Sequence, residues 1–248
     1  MALQYVVITM VDRDDLLDGG ASHVAKTVSR LKELRPDMLV ETLLGDFQGH
    51  MSYVDTTVDS KPDVWAHNIE VVRRLQRSIR DVRCSYERSL DVLRRVKERD
   101  PSRITKSSIM VGIGETDEEV TETMRDLRDA KVDIVTLGQY LRPSPKHAEV
   151  HRYVEPSIFD RYAEQAREMG FAHVASGPLV RSSYKAAEVF VRSILSVGDP
   201  ERASLMLDER LAASQAAARA AGGSEISMSE LAARSASTLI PAGGLVRR

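Results

Sequence analysis

One cysteine among 248 residues is the sequence's scarcest feature and its most restrictive. Cys84 alone cannot close an internal disulfide, and a single thiol cannot hold a metal ion or an iron–sulfur cluster. No apolar run approaches the ~18 residues that a membrane-spanning helix requires, and no basic n-region precedes the first apolar segment. An excess of one charge is missing too. A net charge of -2 and a pI near 6.3 give no general pull toward nucleic acid or acidic lipid, so a ligand must be sought in a site rather than a field. Neither a G-x-S-x-G elbow nor a P-loop occurs, which removes the usual marks of serine hydrolases and nucleoside triphosphatases. These absences predict a cytoplasmic protein with no nucleic-acid and no membrane partner.

What the sequence does contain is alternation. With 42% apolar and 29% charged residues the chain can bury one large core under an ordinary soluble surface. The apolar, β-branched run YVVITMV (5–11) suits a strand covered on both faces. Further strands are expected at 38–45, 62–68, 107–114, 133–141 and 173–177, and helices at 23–34, 69–76, 86–99, 118–130 and 157–170. Thr116 and Glu119 have capping-box spacing, Pro156 stands where a first helical turn tolerates it, and Gly170 is a natural helix terminator. Strand and helix in alternation predict crossover units and a mostly parallel sheet. Six strands fall short of the eight of a closed barrel, so the expected class is α/β, a partial (β/α) TIM-type barrel over 1–198 whose N-terminal strand is missing. An Ala-rich helix and a flexible tail are expected over 199–248. The strand edge that a missing neighbour would leave open predicts self-association.

In parallel α/β architectures ligands gather at the carboxyl ends of strands, so the residues after each apolar run are the candidates. VDRDDLLDGG follows the first strand and crowds Asp12, Asp14, Asp15 and Asp18 around Arg13. This is either a capped, solvated loop or a carboxylate set for a cation or a ribose, and spacing does not separate the two. Glu41 lies inside the second strand and His67-Asn68 ends the third; Lys106 opens the fourth and Gln139 closes the fifth. Such groups cost roughly 1–3 kcal/mol each when buried without partners, which predicts a shared polar cavity. The stretch GIGET (112–116) is a weak candidate for a phosphate-cradling turn.

Taken in order, YVVITMVDRDDLLDGG, VETLLGDFQG, PDVWAHNIEVVRRLQ, TKSSIMVGIGETDEEV, DIVTLGQYLRPSPKH and FAHVASGPLVRSSYKA resemble the lipoyl synthase family of radical S-adenosylmethionine enzymes, from about residue 4 to residue 195. The resemblance implies insertion of two sulfur atoms into an octanoyl chain carried on a lysine of a lipoyl-carrier domain. It also implies S-adenosylmethionine, two [4Fe-4S] clusters, and an electron donor such as ferredoxin or flavodoxin. By motif match the R-S-S-Y segment makes Ser183 the serine ligand of the auxiliary cluster, beside Arg181. Asp12, Asn68, Lys106 and Gln139 are the candidates for the pocket that would hold S-adenosylmethionine and substrate.

The chain departs from its relatives at one point. The family binds its radical-generating cluster through C-x-x-x-C-x-x-C and the auxiliary cluster through three further cysteines, and Cys84 matches neither set. The expectation is therefore a truncated enzyme, inactive alone, or one completed by a second polypeptide. The alternative from another class is a non-catalytic module that binds a lipoyl-carrier domain.

Overall fold

The structure, a computed structural model, describes residues 5–181. Ser183 and the Ala-rich helix and tail expected from residue 199 lie outside the described residues. Six strands form one parallel sheet: β1 (Tyr5–Thr9), β2 (Leu39–Leu43), β3 (Val64–Ala66), β4 (Ile104–Val111), β5 (Ile134–Gln139) and β6 (His173–Gly177). The helices between them are α1 (Ala21–Leu34), α2 (Met51–Asp59), α3 (Gln76–Ile79), α4 (Tyr86–Arg99), α5 (Asp117–Asp129) and α6 (Pro156–Glu168).

The strands lie side by side in sequence order, β1 to β6. A doubly wound sheet reverses its order at a switch point; here there is no reversal, so right-handed crossovers place successive helices on the same face. Burial agrees. Val40, Trp65, Ile109, Val111, Val135, Leu137 and Val174 share one parity along the strands and join the core that includes Leu90, Leu93, Met124, Leu127, Phe159 and Tyr162 of the helices. The other parity carries Tyr5, Glu41, Lys106, Ser108, Thr136 and His173, a polar inner face. This is the partial (β/α)-barrel arrangement.

Local chemistry explains the helix boundaries. Ser85 accepts the Arg88 N–H and starts α4, whose buried Tyr86, Leu90, Leu93 and Val96 recur at helical spacing. Thr116 and Glu119 form the capping box that opens α5. Gly170, at φ 82, turns the chain out of α6 in a conformation that costs other residues a Cβ clash.

Two elements differ from the sequence expectation. Helix α2 was not expected, because Thr and Val dilute its helical propensity; buried Val54, Thr57 and Val58 hold it, with the Trp65 indole N–H donating to Thr57 Oγ1 at 2.9 Å. No helix spans 69–76. Glu70 sits at φ 67, incompatible with a right-handed helix, and makes an isolated parallel bridge to Ile109 of β4; buried Ile69, Val71 and Val72 flank it before the short turns at Arg73–Leu75 and α3.

Candidate functional site

The carboxyl ends of the strands carry two cavities. The first, about 320 Å³, lies beyond β1 and β2 and is lined by Asp12, Asp14, Asp15, Asp46, Asp81 and Arg83 among others. Its loop is largely self-satisfied. Arg13 pairs with Asp15 at 2.7 Å, and Asp18 accepts the Gly20 and Ser22 N–H groups at 3.0 and 2.8 Å; the Ser22 hydroxyl first, then these N–H groups, hold its carboxyl down at about 2. Asp14 receives Gln48 at 2.9 Å and Arg83 at 2.6 Å. The crowding of carboxylates after β1 is thus mainly a cross-linked loop. Cys84 also lines this cavity, and burial pushes its thiol up, away from the reactive thiolate range.

The second cavity, about 280 Å³, opens at the ends of β3 to β6 and is lined by Asn68, Glu70, Ser108, Gln139, Val180 and Arg181 among others. Asn68 donates to Glu70 Oε1 at 3.1 Å. Burial pushes the Glu70 carboxyl upward from the ordinary carboxylate value, against the lowering effect of the Asn68 hydrogen bond and of Arg80. A positive φ on a glutamate is a strained conformation, retained here by the Glu70 N–H donating to Ser108 O and the Met110 N–H donating to Glu70 O. Gln139 is anchored, donating to Tyr140 O and Arg152 O and accepting the Val154 N–H at 2.9 Å; it straps the 140–155 loop to the top of β5.

The candidates therefore separate. Asn68, Gln139 and Arg181 meet at the second cavity, and Asp12 lies in the first. Lys106 lines neither: at 1% exposure its ammonium meets Glu41 Oε1 at 2.8 Å, and Tyr5 donates its hydroxyl to the same carboxylate. Glu41 is thus spent on a buried pair beneath the mouth. His67 points to the helical side, its ring nitrogens 2.8 Å from Leu44 O and 3.0 Å from Ser89 Oγ.

The GIGET turn is likewise occupied from within. Glu115, buried at 6% exposure, accepts the Gly112 and Ile113 N–H groups at 2.6 and 2.9 Å, so a carboxylate of the chain fills the place a phosphate would take. Sequence reasoning passed over Glu70, whose signal was a carboxylate four residues past the end of β3. It also passed over the i,i+4 pair His147 and His151, which stands in an irregular loop and not on a helix. No group of three or more His, Cys, Asp or Glu among the described residues is placed to hold a metal ion. No helix among them is long and apolar enough to cross a membrane.

Comparison with known proteins bears on this geometry. The Radical SAM superfamily pattern matches residues 1–127. The chain is 58% identical over 279 aligned positions to the lipoyl synthase of Sorangium cellulosum, with 100% of this chain and 74% of that protein covered. It is 54% identical over 193 residues to the mitochondrial lipoyl synthases of Eremothecium gossypii and Saccharomyces cerevisiae, covering 78% of this chain and 52% and 47% of theirs. The chain thus spans about half the length of these fungal relatives. Among solved structures, methylornithine synthase superposes with a TM-score of 0.52 at 15% identity, over 73% of this chain and 60% of that one, a likeness of fold alone.

Proposed function

Because the chain belongs to the lipoyl synthase family of the radical SAM superfamily, we propose that it forms the barrel and substrate mouth of a sulfur-inserting enzyme of lipoate biosynthesis. The reaction is insertion of two sulfurs into an octanoyl chain on the lysine of a lipoyl-carrier domain. The observation that carries this reading is identity of 58% across the whole chain to a lipoyl synthase. The polar second cavity at the carboxyl ends of the strands agrees with it.

S-Adenosylmethionine suits the chemistry of that cavity. Asn68 and Glu70 would bind its hydroxyl and amino-acid groups, Gln139 would hold the covering loop, and Arg181 would form part of the wall. When bound, it supplies the carbon radical that abstracts hydrogen from the acyl chain. The family's two [4Fe-4S] clusters do not suit the residues present: such a cluster is held by several cysteine thiolates, and this sequence has one cysteine with a raised thiol pKa. The thiolates must come from polypeptide outside this sequence. Ser183, one hydroxyl, is proposed as a single auxiliary-cluster ligand by motif alone. An electron donor such as ferredoxin or flavodoxin completes the set of partners. The proposed compartment is the cytoplasm, although the fungal relatives are named as mitochondrial.

A chimera decides between this reading and a carrier-binding module. The cysteine-bearing segment of the Sorangium relative is joined to this chain, clusters are reconstituted, and lipoyl product is measured on an octanoylated carrier domain with S-adenosylmethionine and reductant. Product from the chimera and none from the chain alone is the expected result. A chimera that loads its clusters and binds the carrier yet makes no product overturns the proposal in favour of the binding module.

A further inference from the structure

On the inner face, Met110, Gly138 and Gly177 stand in register on β4, β5 and β6, so two adjacent glycines leave the sheet bare just below the second cavity. The chain uses that space. After β6 the turn Gly177–Val180, closed by the Val180 N–H donating to Gly177 O at 3.1 Å, folds back over β5. A Cβ placed on Gly138 would lie 2.3 Å from Val180 O and 3.3 Å from Val180 C. Real Cβ atoms do not approach an oxygen so closely, and a backbone carbonyl, unlike a side-chain tip, cannot rotate out of the way. Arg181 Nη1 donates to the same carbonyl at 2.8 Å and would itself lie 3.6 Å from that Cβ. Gly138 is not among the glycines with positive φ, so the position needs glycine for space and not for backbone freedom. Gly177 differs: a Cβ there would meet only Val180 Cγ2, at an ordinary 3.4 Å.

We infer that Gly138 is a positioning residue of the mouth: by admitting the Val180 carbonyl against β5 it fixes where the 177–181 turn lies, and with it the Val180 and Arg181 wall of the cavity. Its bearing on catalysis rests on the function proposed above, because that turn leads directly into the R-S-S-Y segment. Its structural content does not.

The test uses the full chain, without cluster or substrate, as wild type, Gly138→Ala and Gly177→Ala, and follows amide hydrogen exchange by mass spectrometry. In Gly138→Ala the Val180 amide, the hydrogen-bonded one of the turn, should exchange at least tenfold faster, with peptides spanning β3 and β4 unchanged. Gly177→Ala should exchange as wild type throughout. Exchange at Val180 that is unaltered in Gly138→Ala, or raised equally in Gly177→Ala, overturns the inference. Should Gly138→Ala fail to fold, the wild-type chain decides: a Val180 amide that exchanges at the unprotected rate shows that the turn is not held against β5 and overturns the inference. Failure of the chimera with this exchange pattern intact would sink the proposed activity and leave the positioning role standing.

Discussion

Single residues set the pH response of this protein. His67 and His173 are both buried, and burial lowers each to about 4, so the folded chain keeps them neutral. Unfolded, each titrates near the ordinary histidine value of about 6.5. Their folded pKa values are depressed, so the unfolded state binds the extra protons in this window. The stability they contribute is fully present above about pH 6.5 and is lost as pH falls toward 4. A shift from 6.5 to about 4 corresponds to at most about 3 kcal/mol per histidine. Glu70, whose carboxyl is raised by burial, works in the opposite sense, and so offsets part of the loss. Denaturant unfolding at pH 7 and pH 5 should show a net loss of a few kcal/mol at the lower pH. Equal stability at both would show that these rings are not buried neutral.

At the scale of elements, the inner face is held by a pair that sequence reading misplaced. Lys106 was legible as a polar residue in an apolar strand, but a polar cavity and a buried partner leave the same mark on a single sequence. The register separates them. Lys106 on β4 is level with Ala66 on β3 and Leu43 on β2; Glu41, two residues earlier on the same face of β2, meets the Lys106 ammonium diagonally across β3. Two strand spacings, roughly 10 Å, are bridged by one long cation and one carboxylate. Lys106→Met leaves that carboxylate charged in a dry interior and should cost about 3–5 kcal/mol by denaturant titration. The double variant Lys106→Met, Glu41→Gln should recover most of it. A single variant within about 1 kcal/mol of wild type would show the pair to be idle. Strand and helix order was legible because period and caps are local signals. Helix α2 was not, because Trp65 and the core hold a segment whose own propensity is weak. The turn at Gly112 was legible as a loop with exposed N–H groups, but not as one already filled by Glu115.

For the whole molecule, sequential strand order, helices on one face and a cavity at the carboxyl ends make a partial barrel, and that cavity is the proposed ligand site. Its position in the lipoyl synthase family could be read from ordered motifs. The grouping of Asn68, Glu70 and Arg181 could not, since it depends on the return of the chain over β5. What the molecule lacks is equally legible: cluster assembly is governed by thiolate count, and the count here is one. The most direct measurement is iron and acid-labile sulfide on the purified chain after anaerobic reconstitution and desalting. Far less than one iron per chain is the predicted result; about four irons and four sulfides bound per chain, one [4Fe-4S] cluster, would contradict it.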